Sequence, residues 1–473
     1  MDGTTKKGSF FRQFIGTKAF YATVIAMIVP IMVQQGITSF VNLLDNVMVG
    51  RLNQEDIVSV TIVNQLIFIF NLTIFGGVSG ASIFGAQYYG KDDIEGFRYT
   101  FRFKLWIAVI VSIVGIVIFI IFGEVLINHF LNESSEDTGN IEVALRLSKE
   151  YLAVSLFGVV PFAIVQCFGS TLKDMGQTVE PMIASVIAIL TNLVLNYLLI
   201  FGNFGFPKLG VTGAAIATVI ARYIELIYIV IATIRKRKRY TFIIGAFKSI
   251  KVPADIVKKI TITGMPLLVN ELLWAVGTTL TVWCYSLRGM SALNAVNINN
   301  TVWNVFTIIM IALGNAISII VGQHLGSNDM EGAKDNAKKL LFLIVVINIG
   351  MGLLIMLASP FVPLLYNVDE NTRKLASRLL LISGLFLPIE SYIHGTYFTI
   401  RSGGKTLVTF LFDCVFALVI SFPVAFLLSN FTTFSFEVVF LMVHGVNIIK
   451  LVIGTLIFKS GIWARNIVDE VKE

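Results

Sequence analysis

One carboxylate stands alone near the start of this chain. Between Ala19 and Gly50 the only charged side chain is Asp45, in "FVNLLDNVMVG" at 40–50. As a helix rising roughly 1.5 Å per residue, that window reaches about 48 Å, more than a bilayer core of about 30 Å requires. An ionised Asp at the centre of a membrane helix costs about 2.5–3.5 kcal/mol, so it must face a cavity, a partner or an ion. Arg222, Glu225, Glu271, Glu390, His394, Asp413 and Lys450 are further ionisable residues read as mid-span. Arg222 and Glu225, three apart on one helical face, read as a structural ion pair. Asp413 and Lys450 fit either a pair between neighbouring spans or separate roles. Glu390 and His394 are four apart with Tyr397 three further on, an acid, an imidazole and a phenol on one stripe. Such a stripe binds a cation or relays a proton, and a satisfied buried histidine is the bland alternative. Asn192 and Asn196 likewise offer two carboxamides on one face, either as ligands or as polar packing between helices. Asp45, Glu271 and Glu390 have no basic residue within four positions apart from His394, which makes them the better candidates for a proton or cation site.

What positions these residues is a membrane. Hydrophobic residues make up 56% of the 473, only 14% are charged, and mean hydropathy is +0.82, where soluble domains carry about 25% charge. Apolar runs of spanning length recur without the short alternation of barrel strands, so the expected fold is an all-α integral membrane protein. Twelve spans are expected near 18–50, 56–88, 99–128, 143–171, 180–202, 209–234, 257–287, 293–325, 337–363, 375–400, 406–429 and 436–459. The first run is too long for a signal-peptide core and lacks a small-residue cleavage site. Cys167, Cys284 and Cys414 fall inside spans without paired spacing and carry no redox or metal signal.

An even number of spans puts both termini on one side. Lys91, Arg98, Arg102, Lys104, Lys173, "RKRKR" at 235–239, Lys258, Lys259, Lys334, Lys338, Lys339, Arg401 and Lys405 cluster in the connections after spans 2, 4, 6, 8 and 10. The opposite connections are poorer in positive charge, and "LNESSEDTGNIE" at 131–142 is acidic. The positive-inside rule therefore makes both termini cytoplasmic and reads the net charge of +7 as a topology signal, with no nucleic-acid partner. Pro30, Asn64, Phe70, Gln87, Gly90, Glu95 and Gly96 recur as Pro266, Asn300, Phe306, Gln323, Gly326, Glu331 and Gly332, each pair 236 residues apart. "KDMGQT" at 173–178 answers "RSGGKT" at 401–406 after the fourth span of each half, in a register of 228 that implies several residues lost between. Six spans separate the copies, so the halves share one orientation, related by an axis along the membrane normal, an arrangement suited to alternating access. The expected organisation is an N-terminal segment 1–17, an N-lobe 18–234, a basic linker 235–256, a C-lobe 257–459 and a tail 460–473. Pro30 removes one backbone hydrogen bond fifteen residues before Asp45 and is a candidate helix hinge.

These motifs, "NLLDNVMVGRL" after a proline, Asn-x3-Asn in span 5, "KLGVTGAAIAT" opening span 6 and "RSGGKT" after span 10, resemble the multidrug and toxic compound extrusion (MATE) exporters over residues 18 to 465. The resemblance implies two six-helix lobes around a cleft, exchanging H+ or Na+ for mostly cationic, amphipathic compounds. It matches Asp45 to the family's span 1 acid and Asn192 and Asn196 to the amides of its N-lobe site. Thr218 matches a span 6 hydroxyl, and Glu390 a position that is Asp in one branch. Glu271 departs from that branch, whose span 7 acid lies nearer Trp274. Asp45, Asn192 and Asn196, with Thr218, supply oxygens for Na+, while H+ needs only the carboxylate.

The expectation is a secondary active exporter, not an enzyme and without a cofactor, in the cell membrane as a multi-pass monomer. Asp45, Asn192, Asn196 and Thr218 carry coupling, Glu271, Glu390, His394 and Tyr397 line a C-lobe cavity, and the bilayer and small amphipathic cations are the partners. A lipid-linked oligosaccharide flippase would want several Arg or Lys for a pyrophosphate, and spans 1 and 7 offer none. A membrane-embedded enzyme would want clustered His and acids or Ser and His, where this chain has four scattered histidines. "GGKT" at 403–406 mimics the end of a nucleotide loop, but Thr399 stands where its first glycine belongs.

Overall fold

The computed structural model describes residues 14–133 and 140–469. Lys6, Lys7 and Arg12 of the N-terminal segment, residues 134–139 of the acidic connection and the last four residues of the tail lie outside the described residues. Twelve helices among the described residues are long and apolar enough to cross a membrane. In chain order they are α1 Lys18–Val49, α2 Gln54–Gly90, α3 Ile94–Glu133, α4 Ile141–Asp174, α5 Val179–Phe201, α6 Gly210–Arg235, α7 Ala254–Ser286, α8 Met290–Gly326, α9 Met330–Ala358, α10 Glu370–Ser402, α11 Thr406–Phe431 and α12 Phe436–Ser460. Each of the twelve expected spans meets one of them.

The helices run past the apolar windows because their first turns are polar and capped. Asp329 accepts the Gly332 amide at 2.9 Å and starts α9 seven residues before the expected span, and Asp369 accepts from Thr372 to start α10 five before. At the opposite kind of end, Gly202 closes α5 in the left-handed region, φ +74°. α11 is the irregular span: it opens into wide π turns over Leu411–Val415 and Ala417–Ser421 before resuming as α-helix at Phe422. Pro423 explains the second of these, since it lacks an amide hydrogen and its ring excludes the carbonyl four residues back.

The described chain forms two compact units, one made of residues 14–29, 86–93 and 261–469, the other of 30–85 and 94–260. The basic connection 235–253 packs with the second unit, and the boundary inside the unbroken helix α1 falls between Val29 and Pro30. Phe70, Ile74 and Val78 of α2, Tyr151, Leu152 and Val159 of α4, and Ile200 of α5 lie in the core of the second unit. In the first, Tyr285 of α7, Val296 of α8, Leu379 of α10 and Phe440 of α12 do the same.

The internal repeat meets itself inside the first unit. A Cβ on Gly90 would fall on the carbonyl of Gln323, and a Cβ on Gly326 would fall on the carbonyl of Gln87. Both glycines and both glutamines are repeat partners, so the two contacts are one contact made twice, with the ends of α2 and α8 crossing at backbone distance. The Gln87 side chain is fully occupied there: its nitrogen donates to the carbonyls of Ser402 and Arg465, and its oxygen accepts from Ile467 N at 2.9 Å. Residues 461–469, expected as a tail, are thus a packed strap, with Trp463 1% exposed and Asp469 ion-paired to Lys91.

Gly90→Ala and Gly326→Ala should each destabilise the protein by about 1–3 kcal/mol, because backbone cannot yield to an added methyl as a side chain can. Gly350→Ala, whose Cβ meets nothing within 4 Å, should not. Thermal unfolding of the purified variants in one detergent checks this, and equal midpoints for all three would refute it.

Candidate functional site

Two polar stripes at helical spacing meet in the second unit. On α1 they are Gln34 and Asp45, eleven residues and about three turns apart; on α5 they are Ser185, Asn192 and Asn196. Gln34 Nε2 donates to Ser185 Oγ at 2.7 Å, and Asn196 Nδ2 donates to Asp45 Oδ1 at 2.9 Å. Both contacts span 151 residues of sequence, so the two helices run parallel and in register. α6 lies antiparallel on the other side of α5. Ser185 donates to Glu225 at 2.8 Å and Asn192 contacts Thr218 at 3.1 Å, so seven residues forward on α5 is seven residues back on α6. Asp45, Asn192, Asn196 and Thr218 are therefore one cluster.

Asp45 has no cation paired with it among the described residues; its partners are amides. The Asn192 carboxamide lies 3.1 Å from Asp45 Oδ2 on one side and 3.1 Å from Thr218 Oγ1 on the other. With its nitrogen toward an ionised Asp45, it donates to the carboxylate and accepts from the Thr218 hydroxyl and from Thr218 N, at the cost of facing the Asn196 amide nitrogen, another donor, at 3.2 Å. With its oxygen toward Asp45, it accepts from Asn196 Nδ2 at 3.2 Å and donates to Thr218, and two oxygens then face each other across 3.1 Å. Only a proton on Asp45, or a cation, satisfies that second arrangement. Asn196 Oδ1 is buried with no hydrogen-bond partner, a further acceptor without a donor at the same point.

One turn system away, Glu225 is held by Arg222 at 2.8 Å as well as by Ser185, and Arg222 lies over the Phe162 ring. This is the structural pair the spacing suggests. Another pair was not legible as one: Lys104, completely buried, meets Asp174 at 2.6 Å with Thr171 as its second partner. Lys104 sits among the basic residues that begin α3 and reads as a topology charge. The available signal was that "LWIAV" follows it at once, which places it inside the apolar run.

The first unit gathers the other candidates around an ion pair. Lys450 meets Asp413 at 2.7 Å, Asn270 donates to the second Asp413 oxygen at 3.2 Å, and Tyr397 Oη lies 3.4 Å from the same Asn270 nitrogen. Asp413 stands in the first π turn of α11, and the Lys450 ammonium lies over the Phe412 and Phe416 rings. Glu390 accepts from Asn447 and is within electrostatic range of Lys450 and Asp413. His394 packs on Phe398, and its Nε2 is buried without a partner. Glu271, half-buried, has Arg401 and Asp413 as its charged neighbours, whereas Trp274 is exposed. Asn270, Arg401 and Asn447 were missed; uncharged amides and a residue at a span's end leave no mark in a search for mid-span charge. No group of three or more His, Cys, Asp or Glu able to hold a metal occurs among the described residues.

The twelve apolar helices define a polytopic membrane protein. The MatE family model matches residues 30–198 and again 266–427, its two copies starting 236 residues apart as the repeat does, and the chain belongs to that family. It is 25% identical over 463 residues to "Probable multidrug resistance protein NorM" of Thermotoga maritima, covering 95% of both chains. It is also 25% identical to "Probable multidrug resistance protein YoeA" of Bacillus subtilis, over 86% of each. Among solved structures it matches the "Outward-facing conformation of a multidrug resistance MATE family transporter of the MOP superfamily" with a TM-score of 0.81 at 18% identity, covering 95% of this chain and 98% of that one. A Vibrio cholerae MATE transporter gives 0.82 at 15% identity, covering 95% and 98%. Members of the family are transporters rather than enzymes.

The buried Lys104–Asp174 pair yields a direct test. Lys104→Met takes the ammonium from the buried Asp174 carboxylate and should cost about 3–5 kcal/mol, most of it recovered in Lys104→Met/Asp174→Asn. Unfolding midpoints of the two variants measure this; a neutral single variant would contradict it.

Proposed function

We propose that this protein exports small amphipathic, cationic compounds across the cell membrane by antiport with H+ or Na+, alternating between states open to either side, with Asp45 as the coupling residue. The observation that carries the reading is that Asp45, the one acid of its helix's apolar stretch, is answered by the amides of Asn196 and Asn192 and by no cation among the described residues. That arrangement needs one positive charge, and which way the Asn192 amide faces depends on whether the charge is there. Ionised Asp45 takes the amide nitrogen; with a proton on it, Asp45 donates to the amide oxygen. Half a turn of one side chain therefore transmits the charge state from α1 to Thr218 on α6. Na+ would draw instead on Asp45, Asn192 and the unpartnered oxygen of Asn196. Pro30, at the boundary of the two compact units within α1, is the hinge in this proposal.

Both termini are cytoplasmic in this reading, so substrate enters from the side of "RKRKR". Glu271, Glu390, His394 and Tyr397 surround the Asp413–Lys450 pair and are the second polar centre, suited to holding a cationic substrate or a second ion. The relatives' names support multidrug efflux, and the acids support cationic cargo. The driving force is adequate: each pH unit supplies about 1.4 kcal/mol per proton, and each 100 mV about 2.3 kcal/mol per charge.

The test is efflux of a fluorescent cation from proteoliposomes under an imposed ΔpH or ΔNa+. Asp45→Asn should lose coupled transport by about ten-fold or more, as expected for removing the carboxylate of the Asp45–Asn192–Asn196–Thr218 cluster, while keeping the wild-type unfolding midpoint. Normal export by Asp45→Asn in both gradients refutes the assignment. Failure of Glu271→Gln and Glu390→Gln in its place moves coupling to the first unit, and the gradient that drives the wild type identifies the ion.

A further inference from the structure

The run "RKRKR" is more than a charge that sets topology. Charge needs no folded shape to orient a span, yet residues 235–253 are folded tightly onto α3. Arg98 donates to the carbonyl of Phe242, and four residues on, Arg102 donates to those of Gly245, Ala246 and Lys251. Phe242 is buried against the rings of Phe97 and Phe101, and Tyr240 is buried beside it. This clamp turns three large apolar side chains outward: Ile244, Phe247 and Ile250 are 51%, 63% and 74% exposed, although they lie outside every span. Ile234 of the last turn of α6, Arg237, Ile243, Ile244, Gly245 and Phe247 then line an open cavity of about 340 Å³.

We propose that this cavity binds an anionic phospholipid of the adjoining leaflet. An acyl chain would lie against Ile234, Ile244 and Phe247, and the headgroup phosphate would be held by Arg237 with Lys238 and Arg239. The charges are available for it. Lys236 is engaged with Glu180, but Arg235, Arg237, Lys238 and Arg239 are exposed and in no ion pair among the described residues. Guanidinium and ammonium groups immediately beside the end of a membrane helix, next to outward apolar side chains, complement a negative bilayer surface in both charge and polarity. A zwitterionic lipid carries the same phosphate, but its own cation competes for it and leaves no net negative charge for Arg237, Lys238 and Arg239 to meet. The proposal does not rest on Asp45 or on any transport activity.

The experiment uses the full chain in nanodiscs. The three native cysteines are buried, so Ile250→Cys takes a polarity-sensitive dye selectively. Emission should shift toward an apolar environment and be quenched by chain-labelled phosphatidylglycerol at far lower mole fraction than by chain-labelled phosphatidylcholine. Arg237→Gln should raise the phosphatidylglycerol fraction needed for half-quenching about five-fold, the effect of one basic residue at a membrane surface, and Arg237→Lys should largely restore it. Equal quenching by the two lipids, or no response to Arg237→Gln, overturns the proposal. So does a dye that stays water-exposed in both bilayers, or one that responds to glycerol phosphate without lipid quenching.

Discussion

A charge in hydrocarbon has to be met by something, and this chain can be understood from how each buried charge is met. Lys104 and Asp174 neutralise each other in complete burial, Arg222 and Glu225 do so along one helix, and Asp413 and Lys450 do so between α11 and α12. In these pairs the counter-charge is covalently part of the protein and is always present. Asp45, like Glu390, is met by an amide and by no ion pair among the described residues; dipoles can stabilise an ionised carboxylate but cannot neutralise it, and in the function proposed above the counter-charge of Asp45 comes from solution. In that proposal its exchangeable partner links the composition of the solvent to the arrangement of three helices.

The helices themselves follow from where apolar runs begin and stop, which is why twelve spans were visible in the sequence and their ends were not. Helix ends lie in water, where hydropathy is silent and capping residues such as Asp329 and Asp369 decide. The 236-residue repeat was equally legible and proved more literal than a resemblance between halves, since Gln87, Gly90, Gln323 and Gly326 touch one another. The Asp45 cluster was half legible. The four-residue spacing of the asparagines and the solitary acid mark it, but Gln34 and Ser185, which lock α1 to α5 in register, are small uncharged residues 151 apart.

What stayed hidden shares a physical cause. Lys104–Asp174 and the strap at 461–469 depend on contacts between segments distant in sequence, and each participant has an ordinary local explanation: a basic residue near a loop, a polar tail. The π turns holding Asp413 were hidden for another reason. Pro423 gives notice of the second, while the first carries no proline and no glycine. The connection 235–253 was read for its charge alone, and its three-dimensional organisation comes from Arg98 and Arg102, two side chains of the preceding bundle.

The doubled contact between α2 and α8 has an implication for ancestry. Because Gly90 rests on Gln323 as Gly326 rests on Gln87, the join is self-complementary, the signature of an interface between identical subunits related by a two-fold axis. A single gene encoding six spans would have carried both halves of that interface, and two of its products, inserted the same way up, could have docked through it before fusion made their partnership permanent. The two copies are no longer identical, Asp45 on one side having Thr281 at its counterpart position on the other.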